Sequence, residues 1–451
     1  MNRGSIVTII LIFGMVFLIL LGGLLGFILL QMRYSAQRIA WHQSLYIAES
    51  GTEYYKWCLN NGANCDTEKE YFDSQGVSIG RFNLMINQSM SCGETMETNI
   101  YSTGKTNRFP DTKREINVVY GRISVAKFAY LLNDNVWAGP DREINGLYHS
   151  NGGIRMDGKN QSTVSSSLPE WLCTDSFGCS PSVMKPGVFT TTGNANEDLF
   201  EFPVPVFDFD GITVDLAKIK SKAQLGGVYL PRSTSINRNG NGYHLIFKDN
   251  GTVEVRIITS LYSDYSYNEE EGWHYDYFRI KNESYHNTYT INPSCSTVFA
   301  EDNIWIEGTV NQKVTVASAN LIQANKDTSA VIIDDIGYVN NDGTNGFSVI
   351  AENNILISPS SPNQLELRGV FIAQKGHFGR NHYPNNFRDK LTIIGSVVSN
   401  GRVGTQWTSG SYMVSGYAER ENVVDTKLIY SPCPFIPFIE YDFKVIKWEE
   451  I

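Results

Sequence analysis

Residues 6–30 form an unbroken apolar run of 25 residues in which Thr8 is the single polar side chain. About 20 such residues cross a bilayer as a helix. A cleavable secretory signal has a shorter apolar core and an Ala-x-Ala-like exit, so the run predicts a membrane anchor near the N-terminus. No proline precedes Pro110, and Met32, Ala36, Ile39, Gln43, Tyr46, Ile47, Ser50, Tyr54 and Trp57 keep a helical spacing. One continuous helix is expected over 5–57, roughly 80 Å long. Its upper half carries Gly22 and Gly26, a small-xxx-small step suited to close helix packing in lipid.

Beyond the helix the period changes to that of strands. Residues 77–86, 99–103 and 113–120 read as three strands parted by turn residues. Three antiparallel strands suit a small module, 58–125, that covers one face of the helix. Further on, one template recurs at 146–152, 349–353, 369–375 and 395–401, and residues 298–306 match 349–357 almost position for position. The small residues Ala351, Ala373 and Ser399 stand 22 and 26 apart, the length of one coil of a parallel β-helix whose turns are filled by Asn, Gly and Ser. The expected fold is α+β: a long transmembrane helix, a small antiparallel sheet, then a mainly-β head of right-handed parallel β-helix (solenoid) coils. Its organisation is a leader 1–4, the helix 5–57 (membrane span about 6–30) and the module 58–125. The solenoid starts at 126–159, is interrupted by a projecting insertion 160–290, and resumes over 291–420. A C-terminal strap, 421–451, returns to the small module. An antiparallel sandwich of the same short strands is the alternative.

Composition narrows the partners. Lys+Arg total 37 against Asp+Glu 47, a formal charge of −10, which argues against nucleic acid. The seven cysteines fit an oxidising compartment. Cys58 and Cys65, and Cys173 and Cys179, each bracket a short loop that a disulfide closes; Cys92, Cys295 and Cys433 remain, so at least one thiol is unpaired. No C-x-x-C spacing occurs, and no zinc site or other cofactor is expected.

The leader ending in Gly4, the apolar helix directly after it, and Ala48-Glu49-Ser50-Gly51 some 44 residues on resemble type IV pilins and pseudopilins, most closely the PilX-type minor pilins. The tail at 425–437 and 445–448 is similar to the PilX-like ending. The resemblance covers the first ~60 residues, the solenoid and the tail, and barely covers the insertion. It implies that a prepilin peptidase cuts between Gly4 and Ser5 on the cytoplasmic face, leaving a single-pass protein in the cell membrane with its head extracytoplasmic, and on a cell-surface filament after assembly. The charge rule is silent on orientation, since Arg3 lies on one side and Arg33 and Arg38 on the other. Most pilins carry a glutamate at the fifth mature position, where this chain has Ile9. A carboxylate in lipid is retained only with a partner, and its absence resembles the pseudopilins that sit at a filament tip.

Candidate chemistry is sparse. Gly104-Lys105-Thr106 echoes a phosphate loop, but Asn99 stands where the first glycine is required. Asp208, Asp210, Gly211 and Asp215, and Asn340, Asn341, Asp342 and Asn345, have spacings tolerable for calcium but no distal glutamate; solvated turns are the expectation. Lys375, His377, Arg380 and His382 cluster, with Arg402 one coil later and Glu352 one coil earlier. Lys375, His377, Arg380 and Arg402 are the candidate ligand surface. Tyr262, Tyr265, Tyr267, Trp273, Tyr275 and Tyr277 form either a stacking surface or a hairpin whose aromatics pair across strands. No pair of carboxylates recurs at a coil spacing, so no enzyme is expected.

The expected function is a minor-pilin-like structural component of a type IV pilus or related secretion filament, at its tip, displaying an adhesion or interaction head. Its expected partners are the membrane, other pilin-like subunits, the prepilin peptidase, and a surface glycan or host-cell ligand. A membrane-anchored β-helix enzyme or carbohydrate-binding protein acting on surface polysaccharide is the alternative.

Overall fold

The computed structural model describes residues 3–323, 326–410 and 412–451, with side chains from residue 6 onward. The chain divides into two compact units, one of residues 1–88, 98–120 and 443–451, the other of 89–97 and 121–442.

In the smaller unit a single helix, α1, runs Arg3–Asn61, four residues past its expected end. Gly62, at φ +61°, follows it, and a Cys58–Cys65 disulfide closes the loop beyond. Five strands, not three, make the sheet: β1 (Glu68–Phe72), β2 (Ser78–Ser91), β3 (Glu94–Thr106), β4 (Lys113–Gly121) and a C-terminal strand Lys444–Glu450, in that order. The fifth escaped the expectation because its partner register depends on a segment more than 300 residues away in sequence.

Small residues set how closely the sheet lies on the helix. In β3, Thr98, Ile100, Ser102 and Gly104 alternate inward, which is the period-2 pattern of a half-buried strand. A Cβ at Gly104 would sit 2.1 Å from the Ser44 carbonyl oxygen and 2.5 Å from the Ala48 nitrogen. At Gly51 it would meet Ser102 Oγ at 2.8 Å. The Ser102 hydroxyl donates to the Ala48 carbonyl at 2.7 Å, and Ser44 donates to the Thr112 carbonyl at 2.8 Å. The segment Ala48-Glu49-Ser50-Gly51 is therefore where helix and sheet backbones nearly touch. Ile47, Phe82, Leu84, Ile100, Ile116, Val118 and Tyr120 fill the space around it, and burial pushes the Tyr120 phenol up to about 12.

The larger unit is built on ladders of parallel strands. One ladder runs Val228–Leu230, Thr297–Ala300, Lys313–Ser318, Gly346–Ala351, Gln364–Ala373, Phe387–Ser399, Phe128–Leu132, Leu147–Ser150, Val164–Ser166 and Phe200–Glu201, every step parallel. A second runs Tyr243–Phe247, Ile304–Val310, Ala330–Tyr338, Ile355–Ile357 and Phe378–Gly379. Parallel register throughout excludes the antiparallel sandwich. In the first ladder Ala300, Ser318, Ala351, Ala373, Ser399, Leu132, Ser150 and Ser166 stand in one column. The repeated small residue of the sequence template is that column. A second column pairs Gly369 with Gly395 at a positive-φ corner.

Two expectations need correction. Residues 160–290 are not one projecting insertion, since Val164–Ser166, Phe200–Glu201, Val228–Leu230 and Tyr243–Phe247 all join the ladders. These strands are only two to five residues long, too short to show a period. What stands apart is the antiparallel pair Thr252–Asn268 and Gly272–Thr290, and the short hairpin Glu170–Cys173 with Val183–Pro186. The 421–451 strap is also divided. Tyr412–Val423 pairs in parallel with Phe387–Ser399 and with Arg142–Asn145, while Leu428, Cys433 and Ile436 pack over Ala317, Ile350 and Val398.

These close approaches have a measurable consequence. Gly104→Val should destabilise the smaller unit by about 3 kcal/mol, the upper part of the overpacking range. Gly395→Val should destabilise the larger unit at least as much, because φ is +150° there and a Cβ would lie 1.8 Å from the Gly369 carbonyl oxygen. Chemical denaturation read by circular dichroism on each variant checks both values.

Candidate functional site

Two surfaces concentrate the residues of interest, one in each unit. From Ile6 to Leu30 the apolar side chains of α1 are exposed, with Phe13 at 72% and Leu30 at 69%. Among the described residues α1 is the helix long and apolar enough to cross a membrane, and none of its most apolar stretch is buried. A Cβ at Gly22 or Gly26 would meet nothing within 4 Å, so these glycines have no packing role inside the chain. Gly4 and Ser5 lie in the helical backbone of α1, and their side chains are outside the described residues. Met1 and Asn2 of the leader are outside them altogether.

In the larger unit, three of the four candidate ligand residues come together. His377, Arg380 and Arg402 line a cavity of ≈190 Å³, with Asp134, Glu269, Glu270 and Trp407 among its other walls. Lys375 is elsewhere, held by Asp327 at 2.8 Å and Glu352 at 3.0 Å; these hydrogen bonds raise its ammonium pKa. Arg402 pairs with Glu269, donates to the Ser176 carbonyl at 2.9 Å, and lies 4.4 Å over the Phe177 ring. Arg380 is 1% exposed and donates to Ser415 at 3.2 Å and to Asn386. Its Nε has no partner, and burial without an adjacent carboxylate lowers its pKa to about 10. His377 is pushed down by burial against the weaker pull of Glu270 and Glu269, so it is neutral near pH 7. Glu270, its Oε1 4.0 Å from His377 Nδ1, is largely exposed.

The aromatic stretch is a hairpin with cross-strand pairs. Tyr265 lies opposite Tyr275 and Tyr267 opposite Trp273. Tyr265 also stacks on Trp273 at 5.0 Å and 14°. The hairpin tip is fixed by paired backbone bonds between Tyr267 and His382, and Trp407 meets Tyr267 edge-on at 5.5 Å. Trp407 carried no signal in the sequence, because its place beside Arg380 arises from a hairpin docking on a distant strand.

A buried ionic cluster also escaped sequence reading. His244, 5% exposed, sits between Glu283 at 2.8 Å and Glu307 at 3.3 Å, and Arg256 donates to Glu283 at 2.6 Å. Burial opposes the imidazolium, but hydrogen bonds from Glu283 and Glu307 outweigh it and raise the His244 pKa. For Glu283, burial is outweighed by His244 and Arg256, which lower its pKa.

The remaining candidates resolve into turns and bonds. Asp208 accepts from the Gly211 amide at 2.9 Å, and Asp215 caps helix Leu216–Gly226 through the Lys218 amide at 2.9 Å. Asp342 accepts from Thr344, and Asn345 donates to the Asn311 carbonyl at 2.7 Å. No group of three potential metal-ligating side chains occurs among the described residues. Gly104-Lys105-Thr106 belongs to β3, not to a loop. Cys173 is bonded to Cys179 and Cys92 to Cys295, leaving Cys433 a buried free thiol.

No family model and no curated protein matches the chain. Among solved structures, the competence-associated pilin ComZ from Thermus thermophilus aligns over 91% of this chain and 97% of its own, at 13% identity and a TM-score of 0.31. That likeness is too low to carry an argument, so function is argued from the geometry.

The His244 cluster predicts a pH dependence. The raised histidine contributes stability below its ordinary value of 6.5, which is lost as pH rises through its higher folded value; the depressed Glu283 contributes above 4.5, lost as pH falls through its lower one. The clamp is therefore at full strength between pH 4.5 and 6.5. His244→Gln should cost about 2 kcal/mol at pH 6 and much less at pH 9, measured as urea-unfolding midpoints across pH.

Proposed function

We propose that this chain is a pilin-like structural subunit of a type IV pilus or related secretion filament, a minor component at its tip, and that it acts by assembly rather than catalysis. The observation that carries the reading is the two-part character of α1. One continuous helix of 59 residues has an apolar half with every large side chain exposed and a second half pressed against an antiparallel sheet. Such a surface is stable only in lipid or against other apolar helices. Before assembly it holds the subunit in the cell membrane as a single span. A peptidase cut at Gly4–Ser5 then frees an amine, and the helix exchanges lipid for neighbouring subunits, with Gly22 and Gly26 at the contact. Ile9 leaves this subunit without the carboxylate that would pair with a neighbour's amine, which suits a terminal position.

The same reading takes the parallel ladders of the larger unit as coils of a right-handed β-helix, a solenoid displayed outside the cell for adhesion or interaction. Right-handedness is the sense that parallel crossovers adopt. The Lys375 ammonium is held by two carboxylates, which favours a structural over a proton-transferring role there.

Mass spectrometry of the protein from its native membrane tests the proposal. A mature N-terminus at Ser5 is expected, and one at Met1 overturns the pilin reading. Gly22→Ile with Gly26→Ile should lower incorporation into filaments severalfold, quantified in sheared surface fractions. The unfolding midpoint of the larger unit should not change.

A further inference from the structure

The cleft beside the hairpin tip joins a line of aromatic rings. Tyr275 neighbours Tyr265 at 5.2 Å, Tyr265 stacks on Trp273 at 5.0 Å, Trp273 lies 5.5 Å from Tyr267, and Tyr267 lies 5.5 Å from Trp407, a wall of the cavity. Tyr275, Tyr265 and Trp273 are 61%, 48% and 49% exposed. Half-exposed aromatics are costly to leave in water and gain by covering. The line therefore leads from open surface into the ≈190 Å³ cavity.

The polar lining restricts what can enter. Arg380 and Arg402 face three carboxylates, Asp134, Glu269 and Glu270, and His377 is neutral. A net negative lining disfavours phosphate or any polyanion. Donors and acceptors are nevertheless both present and held rigidly: the Arg402–Glu269 pair, the exposed Glu270 carboxylate, and the buried Arg380 with its unpartnered Nε–H. Aromatic faces with planar charged groups of both signs match a ligand that has apolar ring faces and many hydroxyls. Each hydroxyl donates and accepts at once, and charged partners bind it more strongly than neutral ones.

We infer that the hairpin's aromatic line and the cleft between Glu270 and Trp407 form a binding site for a neutral oligosaccharide, with rings stacked along Tyr275, Tyr265 and Trp273 and the end residue's hydroxyls held in the cleft. The inference deepens the reading of the larger unit as an interaction head, but it does not require the filament. The Ser5 terminus and saccharide binding are separate readouts on the same protein.

The test uses the full chain purified in lauryldimethylamine oxide, a detergent with no sugar group. Cellotetraose and the tetramer of N-acetylglucosamine are titrated by calorimetry and tryptophan fluorescence, with tetragalacturonate and spermine as charged probes. A neutral tetramer should bind saturably with a Kd on the order of micromolar to millimolar. Trp273→Ala and Glu270→Gln, both at exposed positions, should each weaken it about tenfold without moving the unfolding midpoint. Three results overturn the inference: no neutral tetramer binding at millimolar concentration, binding untouched by both substitutions, or saturation by a charged probe alone.

Discussion

The larger unit depends on the distance between stacked backbones. Parallel strands hydrogen-bond to the tier on either side, and that spacing leaves no slack at an inward corner. A large side chain in the column of Ala300, Ser318, Ala351, Ala373 and Ser399 would strike its counterpart in the next tier. The column therefore keeps to alanine and serine until it reaches Leu132. The serines do a second task, since Ser318 and Ser399 donate to backbone carbonyls of adjoining turns and leave few polar groups of the corner unmatched. The smaller unit obeys the same limit with a helix in place of a tier. Gly51, Gly80 and Gly104 let sheet and helix approach until carbonyl oxygens fill the space a methyl would need.

How much of this was legible follows from which signals are local. The membrane-length helix reads directly from one run of side chains. The repeated template at 298–306 and 349–357 was readable because both copies occupy the same columns two tiers apart, with Val298 and Val349 joined through Val316, and Ile304 and Ile355 through Ala330. Strands such as Val164–Ser166 and Phe200–Glu201 were not readable, because three or two residues show no period. They are strands only because a neighbour supplies the register.

The candidate site divides along the same line. His377, Arg380 and Arg402 came from one stretch of turns and do share a cavity, whereas Lys375, two residues from His377, belongs to a different set of contacts. Alternation across a turn is enough to send neighbours to opposite sides. Trp407, Glu269 and Glu270 complete the cavity from the tip of a hairpin and from a separate strand. No pattern in those segments alone foretells that meeting. The His244 cluster is equally non-local, since its carboxylates stand 39 and 63 positions further along the chain.

The order of tiers in space is not the order of residues in the chain. Phe128–Leu132 lies against the far end of Phe387–Ser399, and the Asn133 amide donates to Asn400 across a separation of 267 residues. A polypeptide emerging from its N-terminus thus presents 128–201 long before the surface on which those strands rest has been made. Until then their edges are open to other chains, and closing so long a loop slows folding. Biogenesis of this protein is consequently post-synthetic for a third of its larger unit, and its export and folding have to be timed so that those early strands meet their own late partner before they meet a stranger's.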